Sequence, residues 1–259
     1  MKLLLILALY GTVLSVALWR RGFRSRFTGP RLAPPAGRAP AADPGSGPRP
    51  ARLLIVGATG GTGRELVAQA LERGHEVTAF ARDPAALKIE HPRLRVARGD
   101  VLDFASVEAA VRGQEAVLSA LGHRRYFPPT HILSEGTRNL VRAMETHGTR
   151  RFVCETSLGV GDSAGRMGLL FTLFVIPLVL PFYYWDKVRQ ERVIADSRLD
   201  WVIVRPGALG NGRPRGVRRH GPGVGSFFWT PGIPRADVAA FMLDQVADDG
   251  YLGAAPGVA

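Results

Sequence analysis

Three glycines, Gly57, Gly60 and Gly63, follow the aliphatic run at residues 53–56 in the stretch LLIVGATGGTGRELV, just before residues of helical character. Glycine permits a tight turn, lets the backbone approach a pyrophosphate, and lets a helix pack closely on the strand it follows. The free N–H groups and positive dipole end at a helix start then attract phosphate charge. The spacing GxxGxxG, directly after a strand and at a helix mouth, predicts a dinucleotide-binding turn. Gly57, Thr59, Gly60, Gly61, Thr62 and Gly63 are its candidate cofactor contacts.

The kind of nicotinamide cofactor is decided at the end of the second strand. An NAD site usually offers an acid there to the ribose 2′-hydroxyl, whereas EVTAFARDP offers Arg82. A guanidinium suits a 2′-phosphate, which it meets in forked geometry. Asp83 follows at once and argues the other way, although RDP also reads as a turn start with Arg82 paired to Asp83. On side-chain chemistry the position favours NADPH over NAD.

These residues need a scaffold, and the sequence supplies one by alternating short β-like runs with longer amphipathic runs, the pattern of repeated βα units on a parallel sheet. Strands are predicted over residues 53–56, 76–81, 94–97, 116–120, 151–155 and 201–204. Helices are predicted over 63–73, 105–112, 133–147, 182–196 and 235–246, with Gly148 stopping the third and Pro181 opening the fourth. The expected fold is α/β, a Rossmann-type doubly wound parallel sheet in a single domain over residues 51–259. The uncharged segment 167–185 departs from the alternation and contains Pro177 and Pro181. A buried or flap-like connection is the favoured reading and a broken second membrane span the alternative.

Ahead of the domain, residues 3–19 are apolar apart from Thr12 and Ser15 and are followed by Arg20, Arg21, Arg24 and Arg26. This reads as an N-terminal hydrophobic helix near the short end of spanning length. Residues 1–27 form an anchor with a basic flank, and residues 28–50, rich in Pro, Ala and Gly, form a linker. Positive charge after the anchor keeps the domain in the cytoplasm. A cleaved signal at SVA or an organellar transit peptide, which would leave a cytoplasmic or organellar protein, are the competing readings.

The net charge of +12 is uneven, since residues 1–50 hold eight Lys and Arg against one acid, Asp43. The domain lacks the clustered basic and aromatic pattern of a nucleic-acid binder, so no nucleic-acid partner is expected. A small polyanionic ligand suits its remaining positive charge. The single cysteine, Cys154, excludes an internal disulfide and reads as a small buried hydrophobe in RFVCETS. No histidine stands at metal-ligand spacing from Cys, Asp or Glu, so no metal is expected. His123 reads as a solvated loop residue, and oligomeric state is not legible.

The segments GATGGTGRELV, EVTAFARDP, RGDVLD, SEGTRNLVRAM and LDWVIVRPG resemble the atypical short-chain dehydrogenase/reductases, in particular the NAD(P)H-binding NmrA-like proteins and the biliverdin reductase B (flavin reductase) group. The resemblance runs from about Arg52 to the C-terminus. It implies that Asp100 and Val101 lie near the adenine, that Ala120 and Leu121 line the cofactor, and that Pro206 with Gly207 flanks the nicotinamide. Members that reduce carbonyls use a Tyr-x-x-x-Lys pair with a Ser or Thr after the fifth strand; here Tyr183, Lys187 and Ser157 are the candidates. Four residues apart on a helix, Tyr183 and Lys187 share one face. There the ammonium would make the phenol a better proton donor to a substrate oxygen as hydride arrives, with Ser157 holding that oxygen. An aromatic anchor at the helix start explains Tyr183 without chemistry. Two functions follow: an NADPH-dependent oxidoreductase acting on a small carbonyl, quinone or flavin-like acceptor, or a non-catalytic NAD(P)H-binding sensor or assembly protein. The substrate is expected to be small and, given segment 167–185 and the anchor, lipophilic and drawn from near the bilayer.

Overall fold

The computed structural model describes residues 49–123 and 128–259. The apolar segment 3–19 and the linker up to residue 48 lie outside the described residues. Six strands in the order β3-β2-β1-β4-β5-β6 form the parallel body of the sheet: β1 (Arg52–Val56), β2 (Glu76–Ala81), β3 (Leu94–Arg98), β4 (Ala116–Ser119), β5 (Arg151–Glu155) and β6 (Asp200–Pro206). β1 is flanked by β2 and β4, with Val56 opposite Phe80 on one side and Ser119 on the other. The strand order therefore reverses at β1, and the crevice at the carboxyl ends of β1 and β4 is where such sheets take a ligand.

The strands form here because both faces must be covered, which demands continuous apolar runs. Leu53 and Ile55 enter one core cluster and Leu54 and Val56 the other, the alternation of a pleated strand. One face is covered by α1 (Gly61–Glu72) and α5 (Arg235–Asp244), through Leu66, Val67, Val238 and Met242. The opposite face is covered by α2 (Phe104–Val111), α3 (Ile132–His147) and α4 (Pro181–Ala195), through Val107, Leu140, Met144 and Ile194. The predicted elements fall within two residues of these bounds at each end. The exceptions sit after β6. Short strands β7 (Ala208–Gly210), β8 (His220–Gly221), β9 (Gly232–Pro234) and β10 (Gly257–Val258) carry too few residues to show a period.

Segment 167–185 corrects one expectation. Met167 and Tyr184 near its ends are buried but its middle is not: residues Phe171–Val179 form a π-helix containing Pro177 and burying none of its side chains, and it meets α4 at a bend of 95°. No single described helix is long and apolar enough to cross a membrane. By length and composition the π-helix and α4 together match a broken span or a re-entrant loop, and the exposure of the π-helix matches a flap.

One polar contact fixes α4 to α3. Asp186, fully buried on α4, accepts from the Leu133 N–H at 2.9 Å, the Ser134 N–H at 3.2 Å and the Ser134 hydroxyl at 2.5 Å, so it caps a helix other than its own. Helix starts leave N–H groups without intrahelical partners. Asp186→Ala should destabilise the fold by about 3 kcal/mol, because hydrogen bonds to a charged group are lost and two buried donors are orphaned. Asp186→Asn, which keeps one acceptor oxygen, should lose roughly half of that. Urea unfolding midpoints of the two variants check this; equal stability for Asp186→Ala and the parent would remove the capping role.

Candidate functional site

The turn after β1 is built by close backbone approaches. Gly57 has φ +77°, and a Cβ there would lie 2.6 Å from the Ala120 carbonyl oxygen at the end of β4. A Cβ at Gly63 would lie 2.1 Å from the Gly57 carbonyl oxygen, so α1 sits directly on the turn. Gly60 and Gly61 are exposed, and no described side chain caps α1. The N–H groups of its first turn are thus available to an anion. Uncapped donors at a strand-to-helix turn over the switch point fit the pyrophosphate of a dinucleotide.

Arg82 and Asp83 are exposed immediately after β2, and Asp83 precedes a single 3-10 turn at Pro84–Ala86, as the turn reading of RDP requires. A residue that the sequence reading missed stands beside them. Arg64 of α1 donates through Nε to the Thr59 carbonyl at 3.1 Å and through Nη2 to the Ala86 carbonyl at 2.9 Å. It thereby ties the glycine turn to the loop after β2, and its position immediately after Gly63 was the only available signal. Asp100 follows β3 with Oδ1 accepting from the Leu102 N–H at 3.0 Å. Val101 is buried against Gly136 of α3, its carbonyl accepting from Asn139 at 2.9 Å.

Arg235, first residue of α5, was missed as well. Its Cδ and Nε lie 2.5 Å from where a Gly61 Cβ would stand, and Nη1 donates to Asn211. A guanidinium therefore overlies the start of α1, where the dipole already favours negative charge. Nothing in its spacing connects it to the glycines. Behind the turn, Thr62 donates to Glu155 at 3.2 Å, and Glu155 is buried at the end of β5. Burial pushes the Glu155 carboxyl above its ordinary range against the pull of Lys187, Thr62 and Arg235.

At the carboxyl edge of β4 to β6 the expected trio is divided. Lys187 is buried, with Nζ 5.2 Å from the centroid of the Tyr183 ring. Burial opposes its charge, but Tyr183, Glu155, Cys154 and Tyr184 outweigh it and hold the ammonium above its usual range. The Tyr183 hydroxyl lies near Gly122 after β4, and the His123 ring packs edge-on against Tyr183 at 5.0 Å. His123 is a packing neighbour and also contacts Thr130 at 3.0 Å, which corrects its reading as a solvated loop residue. Ser157 is hydrogen-bonded at 3.0 Å to Tyr184, not to Tyr183; one hydroxyl donates to the other and the second donates to the Leu158 carbonyl, which lies 3.0 Å from Ser157 Oγ and 3.2 Å from the Tyr184 hydroxyl. Burial pushes the Tyr184 phenol up, opposed by Ser157 and Lys187. Ala120 and Leu121 continue β4 toward this edge, Ala120 N–H donating to Val56. The buried Pro206 ends β6 with its carbonyl accepting from Leu158. Burial pushes the Cys154 thiol up to about 12, as suits an inert core residue.

Residues 57–249 match the NAD(P)H-binding family. The chain belongs to that family. An uncharacterized chloroplastic protein of Arabidopsis thaliana is 35% identical over 180 residues, covering 64% of this chain and 61% of its own length. Two hydroxysteroid dehydrogenases of mycobacterial origin also match, but over only 32% and 48% of their lengths. Among solved structures, a short-chain dehydrogenase/reductase from Veillonella parvula in complex with NADP shares the fold, with a TM-score of 0.66 at 20% identity over 80% of this chain and 94% of its own. An anaerobilin reductase from Escherichia coli O157:H7 does so with a TM-score of 0.65 at 24% identity, over 80% and 96%. The family, the Rossmann-like sheet and the NAD(P)H-binding domain expected from the sequence are thus established.

The Glu155 environment sets a pH dependence. Its folded pKa is raised above the unfolded value, so its contribution to stability is fully present below the unfolded pKa and is lost as pH rises through the folded one. Glu155→Gln keeps an acceptor for Thr62 and removes that loss. The stability of the variant relative to the parent should rise from pH 4 to pH 7 in denaturant titrations. A difference that is constant across this range would contradict the burial-driven shift.

Proposed function

We propose that the protein is an NADPH-dependent oxidoreductase that reduces a small carbonyl, quinone or flavin-like acceptor. The observation that carries the reading is the meeting, at one edge of the sheet, of an uncapped glycine turn and a Tyr183–Lys187 pair. NADPH when bound supplies the hydride. Gly57, Gly60, Gly63 and the first turn of α1 hold the pyrophosphate, with Thr59, Gly61 and Thr62 beside it and Arg235 adding a positive charge. Arg82, assisted by Arg64, holds the 2′-phosphate; Asp100 and Val101 border the adenine; Ala120, Leu121 and Pro206 line the way to the nicotinamide.

Tyr183 would donate its hydroxyl proton to the acceptor atom that gains negative charge during the reduction. Lys187, kept charged by its neighbours, favours the phenolate left behind until a solvent proton restores it. Ser157 is steadied by Tyr184 at the same edge and orients the acceptor. The engagement of Ser157 by Tyr184 and by Leu158 also favours a second reading, a non-catalytic NAD(P)H-binding sensor or assembly protein. Absorbance of NADPH in the presence of quinones, flavins and aldehydes separates the two: turnover selects the enzyme, tight binding without turnover the sensor. We place the domain on the cytoplasmic side of a membrane, tethered by residues 3–19. The chloroplastic plant relative supports an organellar protein as the alternative.

Arg82→Ala should weaken NADPH binding by about 2 kcal/mol, as for a charge-assisted contact left unmade, with little change for NADH. Isothermal titration with both cofactors checks it, and equal losses would remove Arg82 from the 2′-phosphate.

Tyr183→Phe should lower turnover about 100-fold with cofactor affinity retained, whereas Tyr184→Phe should lower it by no more than about tenfold. The reverse ranking in steady-state kinetics would transfer the proton to Tyr184.

A further inference from the structure

Two segments build an apolar surface that neither the cofactor turn nor the Tyr183–Lys187 edge uses. One is the π-helix with Leu169 and Leu170 before it; the other is the triplet Phe227, Phe228 and Trp229. A bridge between Met167 and Ser226 joins them, with the Gly168 N–H donating to the Ser226 carbonyl at 2.8 Å and the Thr230 hydroxyl to the Met167 carbonyl at 2.8 Å. Leu170 is 61% exposed, Phe228 69% and Trp229 74%. Large apolar side chains gathered this far into solvent mark an interaction surface, unlike hydrophobes scattered singly.

The two segments that carry this face hold charge of one sign. Residues 166–185 contain Arg166 and no other charged side chain, and residues 207–234 contain Arg213, Arg215, Arg218 and Arg219 and no acid. All four of these arginines are exposed, in the segment that leads into the aromatic triplet. Arg166 is tied to that segment through the Pro222 carbonyl. Aromatic side chains settle at the headgroup boundary of a bilayer, and arginines meet its anionic phosphates. A two-fold pairing of this face with itself would bring the arginine sets together, which disfavours a second copy.

The underside of the face meets the candidate site. Ile176 packs against two buried clusters, one holding Leu158 and Met167 and the other Val160 and Tyr184, the residue hydrogen-bonded to Ser157. We propose that this face seats the domain in the interfacial zone of an anionic bilayer, with Leu170, Phe228 and Trp229 penetrating it. A linker of residues 28–50 would span up to about 70 Å if extended at about 3.1 Å per residue, so an anchor at residues 3–19 would leave the face free to reach the same membrane. On the oxidoreductase reading, a lipophilic acceptor then enters beside Tyr184 from the lipid side.

Photolabelling of the full chain tests this with vesicles of phosphatidylcholine and phosphatidylglycerol carrying a diazirine-bearing phosphatidylcholine. Adducts mapped by mass spectrometry should fall on residues 169–179 and 227–229 in addition to residues 3–19. Their yield at 169–179 and 227–229 should drop at least fivefold in Phe228→Ser/Trp229→Ser and when phosphatidylglycerol is omitted. An unchanged melting temperature shows that the variant folds, and Arg218→Ser/Arg219→Ser gives a second variant that leaves the apolar side chains intact. Adducts confined to residues 1–27 would overturn the proposal. So would protection of the face from hydroxyl radicals in lipid-free protein, which would assign it to a second copy or to residues 3–19. Labelling requires no turnover, so labelled protein that reduces no acceptor would keep the docking face and remove the oxidoreductase reading.

Discussion

A buried ammonium governs the arrangement of the carboxyl edge. Lys187 is 3% exposed, and an isolated charge in such a place is untenable without compensation. The one carboxyl among its neighbours is Glu155 at the end of β5, and the Tyr183 ring lies beside the ammonium with its centroid 5.2 Å from Nζ. Glu155 is in turn held by Thr62 from the glycine turn. The buried ammonium thus links, through Glu155 and Thr62, the glycine turn to the helix that carries the tyrosines.

One turn farther along α4, Glu191 extends the same logic. Arg205 of β6 reaches it in forked geometry, Nε to Oε1 at 2.9 Å and Nη2 to Oε2 at 2.7 Å, while Thr156 donates to Oε1 at 2.7 Å. Asp162 also pairs with Arg205 from the loop after β5. The two outer neighbours of α4, β6 and the loop carrying Ser157, are locked by one carboxylate. Buried pairs of this kind contribute little net stability, and breaking one partner is strongly unfavourable because the other charge stays behind. Their value here is register: a shift of α4 by one residue would remove Lys187 from Glu155 and Glu191 from Arg205 together.

The legibility of the sequence followed the range of the interactions. The glycine turn was legible because all its constraints are local, a strand, a turn and a helix within a few residues. The βα alternation and the parallel sheet were legible because continuous apolar runs alternate with amphipathic ones, whereas the strand order was not. Arg235 was not, since its contact with Gly61 joins residues far apart in the chain and depends on α5 packing beside α1. Glu155 looked like a strand terminus, and only its burial gives it a role. The adjacent tyrosines show the limit most clearly. The four-residue spacing singles out Tyr183 as the partner of Lys187, but it carries no information on Ser157, whose partner is the next residue along and therefore about 100° around the helix. Short strands after β6 were invisible for want of a period, and Arg64 was hidden by its ordinary place on a helix.

The connection from β5 to α4 explains why chemistry and surface meet on one side. A βα loop in such sheets usually takes about 2–6 residues, and this one runs from Thr156 to Leu180. Its first residues are held by Glu191 and Tyr184 and its π-helix packs on the core through Ile176, while Leu170, Phe174, Leu178 and Val179 turn outward. A buried version of the loop would have needed partners for its backbone and a cover for Leu170, Phe174 and Leu178, which the sheet has no room to supply. Exposure of those side chains carries a standing risk of association that a loop with only a packing role would not retain. The glycine turn and the buried ammonium belong to the carboxyl edge that the sheet itself builds, whereas the long loop and the Phe227–Trp229 triplet carry the large apolar side chains that this edge leaves in solvent.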